Sequence, residues 1–285
     1  MKKLFAVLVF LSLASLASAQ RIDELNGKHT QMYPTKDKAD KDVGEGKAKP
    51  GGSSQNLINH GGPVIRQAKV VSIFWGSSWG SDAHPSALAQ EILGFFAQFG
   101  STPEYNTIAQ YGIDTAHTNL TNLYWVDGTN PPNFGVTDAD VQNEVGRYLA
   151  AHGVDTSTVY EVFLANGWYS TFGSQTSCGG PHLTYCAYHS NFNYGGSDIK
   201  YASMPYPGCG GCQWTGFSVA QNFEHFACHE TREAVTDADG TAWYDRRGNE
   251  ADDKCAWSPA PFIGTGGFGY QWEWSNADSA CVKTK

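Results

Sequence analysis

The sequence predicts a single mixed α/β domain: a central sheet with packed helices and a loop-rich, disulfide-containing C-terminal part. Three observations carry that prediction. β-branched and aromatic runs of strand length alternate with stretches whose apolar residues recur at helical spacing. All seven cysteines lie beyond residue 177, in loop-rich sequence. The 285 residues are 41% hydrophobic and only 16% charged, the balance of a chain that buries a core.

Residues 1–19 are expected to be a cleaved signal peptide. Lys2 and Lys3 precede the apolar run from Leu4 to Leu16, and Ala17-Ser18-Ala19 forms a small-residue cleavage site before Gln20. That run is shorter than the ~20 residues a membrane span needs, so the expectation is a secreted or periplasmic protein with no membrane span. Residues 20–59 are rich in Lys, Asp, Gly and Ser and nearly free of apolar periodicity, and are expected to be a flexible polar segment. The folded domain is then residues 60–285. The formal charge of −9, which becomes −11 without Lys2 and Lys3, argues against a nucleic-acid partner.

Within the domain, Val70 to Trp75 reads as a buried strand, and 86–99 as a helix with Leu88, Ile92, Phe95, Phe96 and Phe99 on one side. Thr137 opens a second helix through Val141, Val145 and Leu149, which Gly153 ends. Further strands are expected at 159–164 and 199–204, and a long helix at 217–235. The odd cysteine count leaves one thiol over, and Cys228, inside that apolar helix, is the expected one. The expected disulfides are Cys178 with Cys186, Cys209 with Cys212, and Cys255 with Cys281. Cys209-Gly-Gly-Cys212 is read as structural, because no second C-x-x-C accompanies it to complete a zinc site.

Chemistry concentrates in the long helix, at His229-Glu230-Thr-Arg-Glu233. Residues four apart share a helix face, so His229 and Glu233 can aim an imidazole nitrogen and a carboxylate oxygen at one cation. Glu230 is rotated by roughly 100° and sits where it can take a proton from a water at that cation. This is the logic of H-E-x-x-H with the second histidine replaced by a carboxylate, a harder donor that weakens the ion as a Lewis acid. The expected ion is Zn2+, with other divalent ions tolerated. Downstream, Glu250 is the candidate third ligand and Asp253 a residue that orients the ligands. His189 is a further candidate at the same cleft. A His225–His229 pair also has the right spacing, but it leaves Glu230 and Glu233 without a role.

The chain resembles the exordium, or phosphate-induced, family of secreted proteins and its bacterial relatives. The resemblance runs over roughly residues 60–282, through Gly61-Gly62-Pro63-Val64, Ile73-Phe74-Trp75-Gly76, Cys186-Ala-Tyr-His189, Met204-Pro205-Tyr206, His229-Glu230-x-x-Glu233-Ala-Val-Thr-Asp237, Glu250-x-x-Asp253-x-Cys255 and Gln271-Trp272-Glu-Trp274. Ala238 stands where that family usually has proline, and Ala251-Asp252 replaces an Ile-Gly pair. The resemblance implies secretion and a domain spanning the mature chain, and it brings no reaction with it. The helix motif itself looks like that of a zincin peptidase, which makes the expected fold zincin-like. The expected activity is metal-dependent hydrolysis of an extracellular peptide or protein. The competing expectation is a non-catalytic cell-wall or matrix-binding protein, with a structural metal or none, using Trp75, Trp79, Trp168, Tyr169 and Trp214 as a binding surface.

Overall fold

A computed structural model describes residues 30–39, 55–120 and 123–285. The expected signal peptide and residues 20–29 and 40–54 lie outside them. The architecture is mixed α/β, built on a six-stranded sheet. In chain order its strands are β1 (Gln31–Pro34), β2 (Lys69–Trp75), β3 (Leu123–Asp127), β4 (Thr158–Leu164), β5 (Tyr185–Tyr194) and β6 (Ser197–Met204). Across the sheet they run β1-β5-β6-β4-β2-β3. Strands β6, β4, β2 and β3 are parallel neighbours, while β5 is antiparallel to both β6 and β1.

Alternation along each strand divides the core in two. Val70, Phe74, Val159, Phe163, Ala187 and Ala202 pack on one face, with helix α1 (Ala87–Phe99) and helix α3 (Val219–Thr236). Val71, Ile73, Tyr160, Val162, Tyr188 and Tyr201 pack on the other, beneath Val141, Val145 and Leu149 of helix α2 (Asp138–His152). The helices begin where the caps put them. Ser86 Oγ accepts from the backbone N–H of Ala89, Thr137 forms a capping box with Asp140, and Ser218 forms one with Gln221.

Helix α3 is unusual in being buried all round, from Asn222 to Thr236, although nine of those fifteen residues are polar. A helix face of this composition survives inside only if its polar groups are paired. Glu224 accepts from the backbone N–H of Gly269 at 2.7 Å, Thr231 donates to Glu161, and Arg232 binds Asp252. Gly269 has no room for a side chain, since a Cβ there would lie 2.2 Å from the Gln221 carbonyl of α3.

Three expectations are corrected. The disulfides are Cys178–Cys209, Cys186–Cys212 and Cys255–Cys281, so only the last pair is as expected. Cys186 lies on β5, and the 209–212 turn folds back over that strand, so both its cysteines meet earlier partners and not each other. Cys228 is the free, buried thiol. Second, the 20–59 segment is not uniformly outside the fold: β1 joins the main sheet, and Leu57 is buried beside a short strand at Ile58–Asn59. Third, β3 and β5 are strands that the sequence reading passed over. Trp75 and Trp79 are core residues, at 4% and 2% exposure, and so present no binding surface. Among the described residues no helix is long and apolar enough to cross a membrane.

Candidate metal centre

The sheet and α3 meet along a row of residues. Gln31 of β1 pairs with His189 of β5, His189 with Ala202 of β6, and Ala202 with Glu161 of β4. The Ala202 side of the sheet is the one α3 covers, which puts His189 against Glu230 and Glu233. The loop at 250–255 closes the far side, tied to the C-terminal hairpin by Cys255–Cys281. His189 is 6% exposed, and His229, Glu230, Glu233 and Glu250 are fully buried.

The protonation pattern of His229 follows from its neighbours. Gln271 donates from Nε2 to the Asp252 carbonyl at 2.8 Å, which turns its Oε1 toward His229 Nδ1 at 3.3 Å. Burial, against the pull of Glu230, lowers the His229 pKa and favours the neutral ring. Nδ1 then carries the proton and donates to Gln271, leaving the Nε2 lone pair bare. That Nε2 faces Glu233 Oε2 at 3.0 Å, and neither atom has a hydrogen-bond partner. The other Glu233 oxygen accepts from the backbone N–H of Asp253 at 2.8 Å.

His189 repeats the arrangement. Its Nδ1 shares a hydrogen bond of 3.0 Å with Glu230 Oε2, and its Nε2 faces Glu250 Oε2 at 3.6 Å. Burial lowers this histidine also, opposed by Glu233. Two imidazole nitrogens thus face two buried carboxyl oxygens. Ligands of one tetrahedral ion with ~2.1 Å bonds stand about 3.4 Å apart, which is the scale of these separations. His189 Nδ1 is 3.9 Å from Glu233 Oε2, and Asp253 Oδ1 is 3.8 Å from His229 Nε2. Glu233 is common to both three-residue groups whose donor atoms lie within ligating distance of one another: His189, Glu230, Glu233 and His229, Glu233, Asp253.

Without a cation the carboxyls resist ionisation. Burial pushes Glu230 and Glu233 up to about 8, opposed by His229 and His189 respectively. Burial, reinforced by Glu233, holds Glu250 and Asp253 well above the carboxylate range. The donor set of two neutral imidazoles and several crowded carboxyl oxygens fits a divalent cation.

Of the sequence-predicted residues, the structure brings His229, Glu230, Glu233, Glu250, Asp253 and His189 together. It keeps His225 apart, in an aromatic pocket of Tyr33, Phe217, Phe226 and Trp257. Three residues of the centre were missed: Gln271, which fixes the His229 ring, Asp237, whose carboxyl contacts Glu250, and Tyr33, whose ring lies tilted with its centroid 4.6 Å from that of the His229 ring. Gln271 and Asp237 lie inside quoted motifs, so a signal existed for them. Tyr33 had none.

Fold and site together define a disulfide-bonded mixed α/β protein with a buried histidine–carboxylate centre. No protein-family model, curated protein or solved structure matches the chain.

Proposed function

We propose that the chain is an exported metal-dependent hydrolase, zincin-like in its helix motif and related to the exordium family, that acts on peptide bonds and uses zinc. The observation that carries the reading is His229 Nε2 facing Glu233 Oε2 at 3.0 Å, both atoms buried and neither with another hydrogen-bond partner. His229 and Glu233 would hold the ion, with Glu250 and His189 as the remaining donors. A divalent ion there polarises a carbonyl and acidifies water.

The residues around it supply the rest. Gln271 holds the His229 ring, and the Asp253 backbone holds Glu233. Glu230, next to His229, would take the proton from the attacking water once a cation has lowered its pKa, and would pass it to the leaving amine. The three disulfides are compatible with an oxidising, extracellular setting.

One observation favours the competing reading, a non-catalytic extracellular binding protein with a structural metal: the centre is closed to solvent, as structural sites are. The test is metal content by mass spectrometry and peptidase activity of wild type and Glu230→Gln. One zinc per chain in both, with activity lost in the variant, supports the hydrolase. Metal-free protein, or activity indifferent to Glu230→Gln, refutes it.

A further inference from the structure

The closure of the centre has an identifiable cause. Strand β1 pairs antiparallel with β5, the strand that carries His189, in the register Gln31–His189, Met32–Tyr188, Tyr33–Ala187. The other edge of β5 is taken by β6, so β1 fills the one edge through which an added strand reaches the centre. The Tyr33 ring is fully buried against the His229 ring, and its backbone N–H faces the Glu230 carboxylate.

What anchors β1 is mostly its backbone. Trp257 Nε1 donates to the Pro34 carbonyl at 2.7 Å, and the Thr35 N–H donates to the Thr184 carbonyl at 3.1 Å. Those contacts, with the β5 ladder, are ones that any extended chain can make; among the side chains, Tyr33 fills the pocket beside His229, Met32 packs against the opposite core, and the flanking Thr30 and Lys36 bond Ser190 and the Gln213 carbonyl. Strand addition at a sheet edge recognises peptides in this way. The five remaining strands form a continuous sheet without β1.

We propose that β1 is a built-in occupant of the substrate's place: the β5 edge is a docking rail for an extended polypeptide, and the chain's own N-terminal strand holds it shut. The substrate class is then a segment of unfolded or loop polypeptide, paired antiparallel to β5 with an aromatic residue in the Tyr33 pocket. Activity requires β1 to leave. The hydrolytic consequence rests on the function proposed above, whereas the docking does not.

The test uses the full chain with a recognition sequence for a specific protease inserted between Gly51 and Gly52. After cutting, a fluorescent peptide of residues 28–40 is titrated onto the cut protein, with and without zinc. Zinc loss to a chelator and hydrolysis of a denatured protein are measured before and after cutting. The expected results are saturable peptide binding, weakened at least tenfold by Tyr33→Ala in the peptide, and at least tenfold faster zinc loss and hydrolysis after cutting. Excess peptide should restore the uncut rates. Peptide that fails to bind, or binds equally well with Tyr33→Ala, overturns the proposal. So do rates unchanged once the cut piece has gone. Peptide binding without zinc or hydrolysis in either form removes the hydrolase and keeps the docking rail. Should the cut protein aggregate, uncut Tyr33→Ala must lose zinc at least tenfold faster than wild type, and an unchanged rate overturns the proposal.

Discussion

Replacing Arg232 by Met should cost more stability than any exposed charge change, and its size can be worked from the contacts. Arg232 is fully buried on α3. Its guanidinium makes a two-point contact with Asp252, lies 3.4 Å from Glu273, and donates to the Glu104 and Gln271 carbonyls at 3.2 Å each. Removing one partner of a buried ion pair costs about 3–5 kcal/mol, because the remaining charge is stranded. Here two carboxyls are stranded, and burial already pushes Asp252 well above the usual range. We expect about 4 kcal/mol. With an unfolding entropy of ~2.1 cal/mol/K per residue over the roughly 240 described residues, that is a Tm loss of about 8 °C. Calorimetry at fixed zinc concentration measures it, with Lys69→Met as control. Lys69 pairs with Asp155 at the surface and should cost less than about 1 kcal/mol. A fall below about 2 °C for Arg232→Met would refute the view that this arginine compensates the buried acids behind the histidine–carboxylate centre.

Other outcomes follow from the same contacts. His229→Ala should abolish zinc binding measured by equilibrium dialysis, while Gln271→Ala, which frees the His229 ring, should weaken it about 10- to 100-fold. Opening Cys255–Cys281, which spans 26 residues of sequence, by replacing both cysteines with serine should cost about 3.5 kcal/mol in urea unfolding. Burial, and then the neighbouring Asp127, raises Glu144 to about 8. Its folded pKa lies above the unfolded value near 4.5, so its contribution is full below pH ~4.5 and drains away as pH rises toward 8. Glu144→Gln should flatten that decline by about 2 kcal/mol between pH 5 and 8, half-exposed Arg147 screening the rest. Burial also holds the Cys228 thiol up at about 12, so a thiol reagent should label it in urea and leave it untouched in the native protein.

The parts legible in the sequence are those where local pattern and tertiary role agree. Helix α3 announces itself through a capping box and an apolar spacing, and its His229–Glu233 pairing follows from helical geometry alone. Strands β2 and β4 are continuous β-branched runs because both their faces are covered. Strand β5 hid because its buried residues include tyrosines on one face and a histidine on the other, the Tyr188 hydroxyl donating to the distant Asp138. Strand β1 hid more completely. Gln-Met-Tyr-Pro has no strand pattern of its own and takes its conformation from pairing with β5. Disulfide pairing was hidden for a related reason, since partners are chosen by how the 209–212 turn lies over β5 and not by sequence spacing.

The lone thiol at Cys228 has a consequence for how this molecule must be made. Seven cysteines in an unfolded chain offer about a hundred ways to form three bonds; about fifteen of these leave residue 228 out, and one of them is the native set. Nothing chemical marks that thiol as different until α3 has wrapped it in the interior. Helix docking must therefore outrun oxidation, and a host that oxidises the nascent chain too early would fill with scrambled isomers in which the helix carrying His229 and Glu233 never seats.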